Sequence, residues 1–286
     1  MKFAFTMATA ALCTASFAQF SDNFESETGS AGGTLLTTGF GGGGQNGWYN
    51  PVSGSIDGNV YTYAGNTLGL SADPNGGSQF LGGEVTVAQT PMRAQHSLTF
   101  SGGLWTLSYD FNGDFNGSLP TADNLGSVSL QNSLTANYFQ TIYQWGTNIS
   151  TASSFSANIG VFGSAGGGTI AFDSPGAAWT NLTLNDWYHQ TVTWSFTTGL
   201  ITDTTLQNLT TGGALNDDKP VGWYLSGGAN NVLAQPLPTD VRFFASGGAG
   251  DIMGYDNVNV TPAPEPATMA LLGMGALALI RKRRKA

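Results

Sequence analysis

Trp105-Thr106-Leu107-Ser108-Tyr109-Asp110-Phe111-Asn112 alternates large apolar residues with polar ones along its whole length. Successive side chains of a strand point to opposite faces, so Trp105, Leu107, Tyr109 and Phe111 share one face and Thr106, Ser108, Asp110 and Asn112 the other. A helix would scatter the same four apolar groups around its circumference, so the stretch reads as a half-buried strand. Tyr188 to Phe196 repeats the pattern, with Tyr188, Gln190, Val192, Trp194 and Phe196 on one face and His189, Thr191, Thr193 and Ser195 on the other.

Shorter period-two runs predict further strands at Val60 to Tyr63, Leu68 to Leu70, Glu84 to Val87, Leu98 to Phe100, Val128 to Leu130 and Phe139 to Trp145, and again at Ile159 to Phe162, Ile170 to Phe172, Val241 to Phe244 and Val258 to Val260. Gly-Gly, Asn-Gly and Asp-Gly signals separate many of them, and no capped 3.6-residue pattern intervenes before Ala267. The expected fold is all-β, an antiparallel two-sheet jelly-roll sandwich, followed by a single hydrophobic C-terminal helix. No fixed-period repeat supports a solenoid or propeller.

Both ends of the chain carry targeting signals. Lys2, an apolar Phe3 to Leu12 and the small-x-small Ser16-Phe17-Ala18 read as a signal peptide over residues 1–18. The only cysteine, Cys13, lies inside it, so the exported domain has no thiol and no disulfide. Residues 19–261 then form one domain, long enough for a substantial core. That domain has three basic residues, Arg93, Lys219 and Arg242, against seventeen acidic ones, a formal charge of −14. Such a surface repels nucleic acid and anionic headgroups, so no nucleic-acid partner is expected.

At the other end Pro264-Glu265-Pro266 precedes an apolar run, Ala267 to Ile280, and a basic cluster of Arg281, Lys282, Arg283, Arg284 and Lys285. A helix of that apolar run rises about 21 Å, short of a ~30 Å hydrocarbon core, which makes it a marginal span suited to a temporary anchor. By the positive-inside rule the basic cluster stays cytoplasmic and everything before Pro262 is exported. This order of elements over residues 262–286 resembles the PEP-CTERM sorting tail. The resemblance implies an exosortase partner, a transient inner-membrane intermediate, and delivery to the cell surface or extracellular matrix of a Gram-negative bacterium.

A second resemblance spans most of Asp22 to Val260. The stretches Asp22-Asn23-Phe24-Glu25, Gly47-Trp48, Trp187-Tyr188-His189 and Tyr255-Asp256-Asn257-Val258-Asn259-Val260 are similar to those of concanavalin A-like (laminin-G-type) jelly rolls. In that family the W-x-H stretch forms a core strand and the D-N-V-x-V stretch a final strand beside the first. The fold hosts lectins, glycoside hydrolases and structural modules, so activity must come from the site.

The residues favour binding over catalysis. Glu25, Glu27 and Glu84 are the only glutamates of residues 19–261, and no E-x-D-x-E cluster offers the carboxylate pair of a glycosidase. There is no G-x-S-x-G, and His96 and His189 are the only histidines. The expectation is a non-catalytic envelope or matrix protein that takes exopolysaccharide or another glycan as partner; a secreted glycan-active hydrolase on the same fold is the alternative. Trp48 and Trp223, each beside a tyrosine in Gly-rich surroundings, are the candidate sugar-stacking residues. No cofactor is expected, with calcium left open. Asp110, Asn112 and Asp114 set oxygens at alternate positions like the start of a calcium loop, yet Phe115 and Thr121 stand where an EF-hand needs Gly and Glu.

Overall fold

In this computed structural model the structure describes residues 20–88, 90–117, 123–132, 137–145, 154–164, 169–225, 236–245 and 248–263. The expected signal peptide, the Pro264-Glu265-Pro266 motif, the apolar run and the basic cluster lie outside them. Among the described residues no helix is long and apolar enough to cross a membrane.

The chain folds into two sheets. The first runs, edge to edge, Asn216–Asp218, Ile201–Asn208, Trp187–Ser195, Leu104–Phe115, Asp251–Pro262, Gln79–Glu84, Asn59–Thr62 and Thr34–Leu35. The second runs Ala171–Asp173, Ser154–Phe162, Asn137–Trp145, Asp123–Gln131, Asp240–Ala245, Met92–Ser97 and Trp48–Tyr49. Neighbours along both paths are antiparallel; the short Ile56–Asp57 strand pairs in parallel with Met92–Ser97. Phe20–Asp22 lies against the last strand, with Phe20 opposite Val260 and Asp22 opposite Val258.

The alternation read from the sequence decides which groups face inward. Trp105, Leu107, Tyr109 and Phe111 are all buried, and Tyr109 and Phe111 meet rings of the second sheet. Phe111 stacks on Tyr143 at 4.3 Å between centroids, and Tyr109 meets Phe243 edge-on at 5.8 Å. Gln190, on the apolar face of its strand, is fully buried; its Nε2 donates to Thr141 Oγ1 and its Oε1 accepts from Tyr143 OH, so neither amide end is left unpaired.

Three expected strands move. Leu68 to Leu70 is a turn, because Leu68 and Leu70 pack inward with Tyr61, Phe80, Trp187 and Ile252 in a small second core over the outer face of the first sheet. The run at Glu84 to Val87 begins where Gln79–Glu84 ends, and that at Leu98 to Phe100 follows Met92–Ser97. Met92–Ser97 escapes an apolar count because only Met92 and Ala94 carry the inward pattern while Arg93 and Gln95 turn outward. Ile201–Asn208 escapes it because a register shift at Thr193/Trp194 interrupts the period.

Candidate functional site

Each sheet carries a polar cluster on its outer face. On the first sheet Asp110 is flanked across the ladder by His189 on one side and Asp256 on the other. The last strand bulges between Asp256 and Asn259, with Asn257 at φ 49°, a left-handed conformation that asparagine tolerates. The bulge brings Asn257 Nδ2 to 2.7 Å from Asp110 Oδ2 and 3.4 Å from Asp73 Oδ2. Tyr63 OH donates to Asp256 Oδ2 at 2.7 Å, and His189 Nδ1 donates to Asp110 Oδ1. The covering 63–78 segment fits tightly: a Cβ on Gly76 would stand 2.6 Å from Asp256 Oδ2.

Burial beneath this segment dominates the acids' chemistry. It pushes the Asp256 carboxyl up to about 8, with Asp73 and Asp110 adding like-charge repulsion against the hydrogen bonds from Tyr63 and Asn257. Asp73 rises to about 7 for the same reasons, burial first and then Asp110. All six carboxylate oxygens of the trio accept from protein donors, including the Asn75 and Asn257 backbone N–H groups. Among the described residues no group of three or more His, Cys, Asp or Glu has the arrangement to hold a metal ion.

Asp110, Asn112 and Asp114 all lie within Leu104–Phe115, where alternate residues are about 6.8 Å apart. A straight strand cannot fold three such ligands onto one ion. Asp110 and Asn112 are buried, and Asp114 is half-buried with its carboxyl raised by burial.

The second sheet presents a different surface. One row across the strands reads Tyr49, Gln95, Arg242, Ser129, Gln140, from the register of five neighbouring strands. The row to one side reads Arg93, Phe244, Ser127, Ile142, Asn158, and that to the other Ser97, Asp240, Gln131. At about 4.8 Å per strand, five strands make a strip roughly 19 Å long.

Hydrogen bonds fix this strip in place. Gln95 Nε2 donates to Tyr49 OH at 2.6 Å, and Tyr49 OH donates to Asp240 Oδ1 at 2.7 Å. Ser97 Oγ and Thr239 Oγ1 also donate to Asp240. Arg242 Nε donates to Gln95 Oε1 at 2.6 Å, Arg93 Nη1 donates to Ser55 Oγ, and the Arg93 guanidinium sits 6.0 Å from the centre of the Phe244 ring. Burial lowers Arg242 to about 10, with the Arg93 charge adding to the effect and Tyr49 and Asp240 opposing it, and burial lowers Arg93 as well.

Of the residues singled out in the sequence, Trp48 must be reassigned. Its indole has no exposed surface, packs against Phe20, Phe24, His96 and Phe243, and donates Nε1–H to Asp22 Oδ2. A ring enclosed on both faces cannot stack on a sugar. Trp223 is only partly buried against the core, beside a Tyr224–Leu225 strand that pairs with Ser154–Phe162. The glutamates lie elsewhere and are structural: Glu25 accepts from Ser78 Oγ, Ser78 N–H and Gln79 N–H, Glu27 from Asn46 and Ser26, and Glu84 from Asn116. Burial pushes the Glu25 carboxyl up, but the bonds from Ser78 and Gln79 outweigh it and leave it lowered. The Arg93 and Arg242 strip was not legible in advance, because a charged residue within a short strand signals only a polar face.

Residues 262–285 match the PEP-CTERM protein-sorting motif. The PEP-CTERM match covers Pro264, Glu265 and Pro266, the apolar run and the basic cluster. No curated protein matches the chain. Among solved structures, the globular domain of T. cruzi calreticulin is similar at 9% identity with a TM-score of 0.48, covering 92% of this chain and 98% of that one. The PL-14 alginate lyase from Aplysia kurodai is similar at 12% identity with a TM-score of 0.42, covering 68% of this chain and 87% of that one.

Proposed function

We propose that this is an exported bacterial envelope or matrix protein, delivered through its PEP-CTERM tail, whose concanavalin A-like sandwich binds glycan without catalysing a reaction. In this reading residues 1–18 are a removed signal peptide, 19–261 the sandwich and 262–286 the sorting tail. Exosortase reads Pro264-Glu265-Pro266, residues 267–280 hold the chain in the inner membrane, and residues 281–285 stay in the cytoplasm. The first strand lying beside the last and the W-x-H strand at the heart of the first sheet support the concanavalin A-like assignment.

The observation that carries glycan binding is the hydrogen-bonded strip of Tyr49, Gln95, Arg242, Ser129 and Gln140. Tyr49, Arg242 and Gln140 keep exposed surface in this strip while Gln95 and Ser129 are buried beneath it, and a phenol, a guanidinium and an amide held at fixed spacing can hydrogen-bond sugar hydroxyls. Asp240 is the one carboxylate in the three rows, and its oxygens are engaged by Tyr49, Ser97 and Thr239, which favours binding over two-carboxylate hydrolysis. A glycan array probed with the intact protein should give defined hits without product release; a blank array across neutral and acidic glycans refutes the binding reading.

The address is tested separately. Glu265→Ala leaves the apolar run and basic cluster intact, so a plain anchor tolerates it. Under the sorting reading the variant accumulates at full length in the inner membrane of the native host, while wild type is processed. Intact mass spectrometry of the envelope and secreted fractions reads the difference, and a surface form of wild type that retains Arg281 to Lys285 overturns processing at this motif.

A further inference from the structure

Resting on the glycan-binding reading, we infer that the ligand is an acidic polysaccharide whose sugar carboxylates are held by Arg93 and Arg242. The domain has three cations in residues 19–261, and two of them sit together on this one face. Arg93 is opposite Phe244 and Arg242 opposite Gln95, so the arginines are diagonal neighbours on adjacent strands, about 7–8 Å apart at Cα.

Neither arginine makes a contact ion pair, although Asp240 and Tyr49 offset part of the Arg93 repulsion at Arg242. Among the described residues Lys219 pairs with Asp203 and Asp217, and no arginine lies within ion-pair distance of a carboxylate. Asp57, opposite Arg93 in the register, is turned away to Thr37 Oγ1, the Gly39 N–H and Asn50 Nδ2. Asp240, in the row beside Arg242, is occupied by three hydroxyl donors. Seventeen acidic residues are available to this domain, yet among the described residues none makes an ion pair with either of these two half-buried neighbouring cations. That placement costs stability unless an external anion completes it, and a guanidinium fork suits a carboxylate.

The ligand's polymer type follows from charge density. Beyond about 8 Å at physiological ionic strength the domain's distant carboxylates are screened, so the local pair dominates at contact. A nucleic acid, with one charge per ~1.7 Å, would still meet that acidic surround along its length. A uronate chain, with at most one charge per sugar, can lay carboxylates on the arginines and hydroxyls on the partly exposed Tyr49 and Gln140.

The test uses the full-length protein in detergent solution and biolayer interferometry against polygalacturonate, polymannuronate and hyaluronate. Fully methyl-esterified polygalacturonate keeps the backbone and removes the charge, and dextran sulfate separates carboxylate from sulfate recognition. At least one carboxylated polymer should bind, the ester at least about tenfold more weakly, and Arg93→Gln and Arg242→Gln should each cost about tenfold or more, as loss of a charge-assisted hydrogen bond implies. Arg242→Lys should recover part of the affinity, and melting temperatures no lower than that of the wild type show that the variants fold. Equal binding of acid and ester, tighter binding of dextran sulfate than of every carboxylated polymer, or full affinity in the double Gln variant overturns the inference. Hits confined to neutral glycans would do so too while leaving the glycan-binding reading standing; no binding to any glycan sinks both.

Discussion

Trp48→Ala should lower stability by about 3–5 kcal/mol, the cost of emptying a large aromatic site in a packed core. The ring has no exposed surface and links three parts of the chain: Phe20 and Phe24 at 5.9 and 5.7 Å, His96 at 5.4 Å and Phe243 at 6.0 Å. Its Nε1–H also ends the N-terminal strand by bonding Asp22 Oδ2 at 2.8 Å, and truncation leaves that carboxylate short of a donor. For a domain of this size the loss corresponds to roughly 6–20 °C in melting temperature, measurable by calorimetry. Trp223→Ala, at a partly buried ring, should cost distinctly less. A Trp48→Ala loss below about 1 kcal/mol would mean that the indole is not enclosed as described.

The second large effect is a stability that falls as pH rises from about 5 to 8. Folding raises the carboxyls of Asp73 and Asp256 to about 7 and about 8, above an unfolded value near 4. A folded state that keeps a proton the unfolded chain has released gains stability. That gain is complete below the unfolded pKa and is lost as pH climbs through the folded one. One retained proton over three pH units amounts to about 4 kcal/mol. The groups facing the pair are Asp110, His189, Tyr63 and Asn257, and mutual repulsion among the acids means that the two contributions do not simply add. Glu25, lowered by its bonds to Ser78 and Gln79, acts oppositely, stabilising above the unfolded value and withdrawing that support in acid. The optimum should therefore lie near pH 5. Asp256→Asn should flatten the alkaline decline and raise the melting temperature at pH 8. A wild-type melting temperature constant from pH 5 to 8 would contradict the buried-proton account.

Much of the fold was legible because burial on one face of a strand imposes a period of two. Trp105 to Asn112 and Tyr188 to Phe196 therefore announced their inward faces correctly, Gln190 included. Where the inward residues were few or small, as in Met92–Ser97, the same rule had too little apolar signal to act on. The sorting tail was equally legible, since a Pro-Glu-Pro triplet, an apolar run and a basic cluster are contiguous and need no fold to be read.

Contacts between distant parts of the chain were beyond the sequence. Trp48 and Trp223 look alike in composition and neighbours, and only the closing of the N-terminal strand over the sandwich encloses one and leaves the other partly open. Asp73, Asp110 and Asp256 come from a loop and two strands, and their proton affinity arises from shared burial, which no single stretch encodes. Arg93 and Arg242 likewise become a pair only when Met92–Ser97 and Asp240–Ala245 align in register. Local periodicity is set by neighbours along the chain and is written in it; the charge and exposure of a site depend on neighbours across the sheet, and those exist only once the strands have paired.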